Sequence, residues 1–210
     1  MRAMDRLWSE LTEQVNGQIN IVFRRNESGR TYMAKQLWKI PLQILKPHYY
    51  DVDGTAVVYS LNPAGGILQH DRLLTQIESE PGTDAIFTTP GNNKYYKMDE
   101  GCAKVWNRLY VHCGGVLEYL PEHNVPFARS TVFQENEFRV EKGGVLFAAD
   151  MVTAGRVASG EKFAYDRYMS RTRIFIDGQL ALYDRCDLRP EEEDLLGMGL
   201  LDGYQTNGSL

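Results

Sequence analysis

The chain is poor in the residues that usually announce a reactive centre, with three cysteines and four histidines among 210 residues. Cys102, Cys113 and Cys186 are too few and too scattered for a disulfide framework, so reduced thiols in a cytoplasmic protein are expected. His48, His70, His112 and His123 are dispersed, with no HxH or CxxC spacing, which argues against a dedicated zinc site. Transient nickel contact through carboxylates, imidazoles and waters needs no such local motif. There is no Lys/Arg-rich block and the net charge is −5, the opposite of a nucleic-acid surface. No apolar run approaches the ~20 residues of a membrane-spanning helix. The N-terminal MRAMDRLWSELTEQ lacks the basic-then-apolar order of a signal peptide. Nucleotide and hydrolase motifs are missing as well. Gly155 to Gly160 is followed by Glu161 and Lys162 rather than by Lys and Ser/Thr, so the spacing is not that of a P-loop. Neither a GxSxG elbow nor an HExxH helix occurs. Cys113 adjoins His112, but neighbours on a strand point to opposite faces, so Cys113 is expected to be a small buried residue and not half of a nucleophile–base pair.

What the sequence does contain is β pattern. Hydrophobic residues at 43% and charged residues at 24% suit one globular domain with a substantial core. Residues 5–15 place Leu7, Trp8, Leu11 and Val15 at helical spacing, closed by Asn16-Gly17, so residues 1–16 are read as an N-terminal extension with a short helix. From Gly17 the period becomes two: Ile19, Ile21 and Phe23 alternate with polar neighbours. Strands are expected over 72–80, 84–89, 103–112, 116–120, 131–141 and 145–150, with turns at Pro81-Gly82, Gly91-Asn92, Gly114-Gly115 and Gly143-Gly144. Asp53-Gly54 and Asp177-Gly178 carry the signal of tight hairpins. A second short helix is expected from Pro190, with Glu191, Glu192 and Glu193 in its first turn. About ten short, regularly punctuated strands predict a mainly β barrel, sandwich or solenoid, without the identical coils that a strict repeat would give.

Four acidic residues stand out as site candidates. Asp71 follows a Gly-Gly turn between His70 and Arg72, and reads either as a functional group or as part of a solvated turn or local ion pair. Glu118 lies in the apolar run GGVLEYLP, where it is either a polar site residue or the solvent side of an alternating strand. Asp150 follows VLFAA, and Glu161 follows Ser-Gly; each suits a turn or cap as well as a site. Tyr95, Tyr96, Tyr110 and Tyr119 fit cross-strand packing or an exposed partner surface. Asp71 with Glu118 could also form the carboxylate pair of a β-solenoid or jelly-roll enzyme acting on carbohydrate, which requires the two groups ~5–10 Å apart.

Four blocks, in order, resemble the urease accessory protein family called UreD or UreH. Gly65-Gly66 with Asp71-Arg72 resembles the family's Gly-Gly…Gly-Asp-Arg, with His70 in place of the usual glycine. Thr88-Thr89 with Lys94, Tyr95 and Tyr96 is similar to Thr-Thr-Gln…Lys-Val-Tyr, with Pro90 for glutamine. Leu117-Glu118-Tyr119-Leu120-Pro121 looks like Leu-Glu-Trp/Tyr-Leu-Pro. Gly155-Arg156, Gly160-Glu161 and Phe163 are similar to Gly-Arg-x-x-x-Gly-Glu-x-Phe. Asp150 stands where glutamate is common and Asp166 where glycine is usual. The resemblance covers residues 17–210 as one β domain and implies a β-helix-like barrel with two helices. Family members continue into a C-terminal segment that docks UreF, which this chain is read as lacking. The resemblance further implies no enzymatic activity and no tightly bound cofactor. It implies instead a bridge between apo-urease and a module of UreF and the GTPase UreG, with nickel(II) in transit along an internal, water-filled route. Asp71, Glu118, Asp150 and Glu161 are the polar positions that the resemblance offers for that route or its interfaces.

Overall fold

A computed structural model of the chain describes residues 14–197 and 201–210. The helix expected over residues 5–15 therefore falls, but for its last two residues, outside the described residues. Sixteen strands follow: β1 (Gly17–Arg25), β2 (Thr31–Lys39), β3 (Gln43–Ile44), β4 (Ala56–Leu61), β5 (Arg72–Ser79), β6 (Asp84–Thr88), β7 (Asn93–Tyr95), β8 (Ala103–Val111), β9 (Val116–Leu120), β10 (Asn124–Pro126), β11 (Thr131–Val140), β12 (Val145–Ala148), β13 (Asp150–Thr153), β14 (Arg167–Ile176), β15 (Gln179–Leu188) and β16 (Thr206–Ser209).

They form three sheets, and each sheet takes one strand from each successive coil. The largest is ordered β15-β14-β11-β8-β5-β1-β2, with β1, β5, β8, β11 and β14 all parallel. A second side stacks β4, β6, β9 and β12 in parallel, and the third stacks β7, β10 and β13. The result is a β-solenoid, mainly β and β-helix-like as the sequence predicts. Unequal loops between strands explain why no strict repeat accompanies the stacked coils. The glycine turns line up at one corner: the Gly82 N–H donates to the Gly114 carbonyl at 3.0 Å, and the Gly114 N–H to that of Gly143 at 2.9 Å.

Parallel pairing in register makes like positions of successive coils share a face. Ile21, Ile77, Leu109, Phe138 and Ile174 form one inward row and build a hydrophobic cluster with Phe87, Leu117 and Tyr119. Near the other end of the strands Leu73, Ala103, Val132, Tyr95 and Tyr168 build a second cluster.

Several local expectations differ from the structure. Residues 190–197 form successive turns and not a helix. The Arg189 carbonyl accepts from both Glu192 and Glu193 N–H, but Leu195 turns back to Glu193 and Gly197 to Asp194. Glycines at 197 and 199 give such a helix too little to propagate. Among the described residues the one helical element is a 3-10 turn over Val157–Ser159. Asp53-Gly54 lies within a wider loop whose ends meet at the antiparallel bridge His48–Val57. Asp177-Gly178 does form a tight hairpin turn, with φ of 48° and 80°. Cys113 is exposed, because β8 ends at Val111 and the thiol sits in the following turn.

Gly54, with φ +84°, passes so close to a neighbouring turn that an added Cβ would lie 2.5 Å from the Gly29 carbonyl oxygen and 2.9 Å from the Arg30 Cα. Gly178, with φ +80°, has open space around it. Gly54→Ala should therefore destabilise by about 2–4 kcal/mol, combining backbone strain with overpacking. Gly178→Ala should cost only about 1–2 kcal/mol from its conformation. Equal losses in denaturant titrations would contradict the close approach.

Candidate functional site

Between the two hydrophobic clusters the inward rows turn polar. Thr75, Asn107, Asn136 and Thr172 are register partners on β5, β8, β11 and β14, and Gln134 pairs with Ser170 one step along. Asn107, Asn136, Gln134 and Ser170 are buried. Asn107 Nδ2 donates to Asn136 Oδ1 at 2.8 Å, and Asn136 Nδ2 donates to Thr172 Oγ1 at 3.0 Å. The row is a hydrogen-bonded ladder of neutral groups crossing the sheet.

This ladder ends on Asp150, the first residue of β13 on the third side of the coil. Four donors converge on its carboxylate: Asn124 Nδ2 on Oδ1 at 3.0 Å, and Ser170 Oγ at 2.7 Å, Gln134 Nε2 at 2.8 Å and Asn136 Nδ2 at 3.1 Å on Oδ2. All four are uncharged, and among the described residues no cation pairs with Asp150. Tyr95 Oη holds Asn124 in turn, donating to Oδ1 at 3.1 Å. Hydrogen bonds from neutral donors are what an interior carboxylate requires when no counter-ion accompanies it.

The neighbours record that environment. Burial, and then the Asp150 charge, pushes the Tyr95, Tyr119 and Tyr168 phenols upward. Cys186, whose register partner is Ser170, is pushed up to about 12 by burial and next by Asp150. Tyr95 and Tyr119 line a cavity of 320 Å³ together with Asp150, Asn124, Gln134, Asn136, Asn107 and Thr75, with Phe87 and Ile174 on its apolar walls. The lining also includes Leu182, Tyr183 and Asp184 of β15 and Ser209 and Leu210, all exposed, so the cavity reaches the surface there.

Of the four acidic candidates, the structure brings only Asp150 to this cavity. Asp71 is 9% exposed and closes a turn, accepting from Asn16 Nδ2 at 2.9 Å and from the Leu68 N–H at 2.8 Å. Glu118 lies on the face of β9 opposite Leu117 and Tyr119, outside the interior. Glu161 pairs with both nitrogens of the Arg156 fork and accepts from the Ala128 N–H at 3.2 Å. Neither Asp71 nor Glu118 lines this cavity, and they stand on different sides of the coil, Asp71 just before β5 and Glu118 on β9, a placement that does not favour the paired-carboxylate cleft of a glycosidase. No group of three metal-ligating side chains occurs among the described residues, and no helix there is long and apolar enough to cross a membrane.

Several motif residues close coils. Gly66 lies against Tyr96, where a Cβ would meet the ring at 2.7 Å. Tyr96 packs edge-on to Phe127 at 5.2 Å, and the Arg156 guanidinium sits 4.1 Å over that ring. Thr88 Oγ1 donates to the Leu120 carbonyl at 2.7 Å, and the Glu122 N–H donates to Thr89 Oγ1 at 3.0 Å, joining two successive coils. His70 takes φ 64°. Residues missed from the sequence are the amides Asn107, Asn124, Gln134 and Asn136. Their signal was a polar side chain in the inward phase of strands otherwise apolar on that face.

The description "UreD urease accessory protein" belongs to the family model that matches residues 15–210. Urease accessory protein UreD of Cenarchaeum symbiosum is 34% identical over 195 residues, covering 91% of this chain and 68% of that protein. The same-named protein of Acetivibrio thermocellus is 27% identical over 182 residues, covering 87% and 70%. UreD 2 of Streptomyces griseus is 32% identical over 191 residues, covering 87% of this chain and 64% of its own length. The chain thus spans roughly two thirds of the length of these relatives.

Two outcomes test the site. Burial, and next Asp150, push the Cys186 thiol up to about 12, so at pH 8 it carries far less thiolate than an ordinary thiol. Maleimide labelling mapped by mass spectrometry should therefore modify Cys113 first and leave Cys186 unmodified; early labelling of Cys186 would contradict the burial that raises its thiol. The Arg156 fork, and then the Ala128 N–H, hold Glu161 below its usual range. Its stabilisation is therefore present at neutral pH and lost as pH falls through the acid range. Glu161→Gln should lower Tm at pH 7, and the difference should shrink below about pH 4. A pH-independent difference would place the contribution elsewhere. The chain belongs to the UreD urease accessory protein family.

Proposed function

We propose that this protein is a urease maturation factor, a non-enzymatic chaperone and scaffold in the cytoplasm. It links apo-urease to homologues of UreF and of the GTPase UreG, and it assists delivery of nickel to the urease active site. Membership of the UreD family supports the role in urease maturation. The observation that carries the nickel reading is the neutral amide and hydroxyl ladder converging on Asp150 in a cavity that reaches the surface.

The chemistry suits passage better than storage. One carboxylate attracts a divalent cation, while amide and hydroxyl oxygens replace part of its hydration without the thiolate or imidazole cage that would hold it. Nickel is cargo here, and the lining has to release what it accepts. Asp150 is assigned to the route. Asp71, Glu118 and Glu161 lie at polar positions outside the cavity, where the fitting role is support of docking surfaces.

The test is urease activation on co-expression with the remaining maturation components, scored together with capture of UreF and UreG homologues. Asp150→Ala should lower urease activity and urease nickel content severalfold while partner capture persists. Glu27→Gln, a change at an exposed loop residue with no role in the reading, should leave nickel content unchanged. Normal activation in the Asp150 variant would remove that residue from the route, and absence of partner capture by the parent chain would defeat the scaffold reading.

A further inference from the structure

Strand register gathers on the outside of the large sheet charges that are scattered along the sequence. The inward rows of β8, β11, β14 and β15 leave the alternate positions of those strands on the outer face. There Glu137 lies between its register partners Arg108 and Arg173, accepting from Arg173 Nη2 at 3.0 Å and from Arg139 Nε at 3.0 Å. Two residues along, Glu135 pairs with Arg171, whose own register partner on β15 is Arg185. Asp187 accepts from Arg167 Nε at 2.8 Å, from Arg185 Nη2 at 2.6 Å and from Arg189 Nη2 at 3.0 Å. Seven arginines thus share three carboxylates on this face, in a chain whose net charge is −5.

The surface is more one-sided than that count. The Glu137 and Asp187 side chains are 18% and 14% exposed, whereas those of Arg173 and Arg185 are 35% and 50% exposed. The carboxylates lie beneath and the guanidinia above, so solvent meets a cationic face. Each guanidinium carries several donors in a fixed fork, more than a carboxylate shared among three arginines can accept. Aromatic rings interleave with them: the Arg167 guanidinium sits 5.2 Å over Phe133 and that of Arg139 4.6 Å over Phe175. Such stacking orients the forks before any partner arrives. Arginine among aromatic residues is the composition of a protein interface. Phosphate backbones and anionic bilayers favour an uninterrupted basic surface, and the acids set into this one disfavour both.

We propose that the outer face of β8, β11, β14 and β15 docks an acidic protein surface, whose carboxylates take the guanidinium donors that Glu135, Glu137 and Asp187 leave over. This docking is separate from the nickel route, so it can be measured on the isolated chain with no maturation component present.

The experiment follows the fluorescence anisotropy of a fluorescein-labelled oligoglutamate peptide titrated with the purified full chain. Binding should be seen at low salt and weaken as salt is added. Arg173→Glu with Arg185→Glu should weaken it at least about tenfold. Lys46→Glu with Lys94→Glu makes the same change of charge at exposed positions outside the large sheet and should leave binding within about twofold of the parent. Circular dichroism monitors strand content. Where the charge reversal lowers it, Arg173→Gln with Arg185→Gln decides, with binding expected at least about threefold weaker. No binding of the peptide by the parent chain, or equal weakening by the lysine and arginine pairs, overturns the proposal. Tighter binding of duplex DNA or of phosphatidylglycerol vesicles at the same salt, lost in the arginine variants, overturns it in favour of a nucleic acid or a membrane.

Discussion

The constraint on which this molecule depends is register in a parallel ladder. Five strands, β1, β5, β8, β11 and β14, keep like positions side by side, so one residue's choice of face is repeated on the strand beside it. The apolar rows fill two clusters, and the row between them carries Thr75, Asn107, Asn136 and Thr172. A single polar residue facing inward would orphan its hydrogen-bonding groups, at about 1–3 kcal/mol each. Stacking polar against polar removes that cost, because Asn107 donates to Asn136, and Asn136 to both Thr172 and Asp150. The solenoid can therefore carry a polar seam through its core without unzipping the sheet that encloses it.

Much of this was legible in the sequence, and the remainder was hidden for identifiable reasons. The long strands showed themselves because one face is apolar and the glycine turns between them need φ > 0, as at Gly82, Gly114 and Gly143. Strands β7 and β10 have three residues each, and β13 four, which is too short for a period-two pattern to register. Strand β2 escaped because its residues are half-buried or exposed at the sheet edge, so no buried face marked it. The segment after Pro190 has the acids and the proline of a helix start. Those signals act on a first turn only, and a helix without an apolar face to bury does not propagate beyond it.

Gly66 makes room for the Tyr96 ring, the Thr88–Thr89 pair joins successive coils, and Arg156 pairs with Glu161 while covering Phe127. These contacts set how one coil sits on the next. They explain why the eye is drawn to residues that do not line the cavity: turns that close a coil demand particular side chains, so they read as motifs. Cavity linings demand only polarity at an inward position, which any of several residues supplies. Gln134 and Asn136 were accordingly invisible within TVFQENEFRV until the phase of that strand was known.

Asp150 shows how the two kinds of requirement meet. Its placement at the start of β13 follows from coil geometry, because the break after β12 turns the chain into the third side and points that residue at the seam. Its chemistry follows from its neighbours, which supply hydrogen bonds but no positive charge. An arginine at that point would satisfy the carboxylate permanently and close the site to any other cation, as the arginines around Asp187 do for that residue. Neutral donors hold the carboxylate without placing a positive charge beside it, and the tyrosine phenols around it are raised by burial first and by Asp150 second. A site built this way presents an interior carboxylate held by neutral donors alone. What sets this carboxylate apart from Asp187 is the absence of a salt bridge among the described residues as much as the presence of the acid.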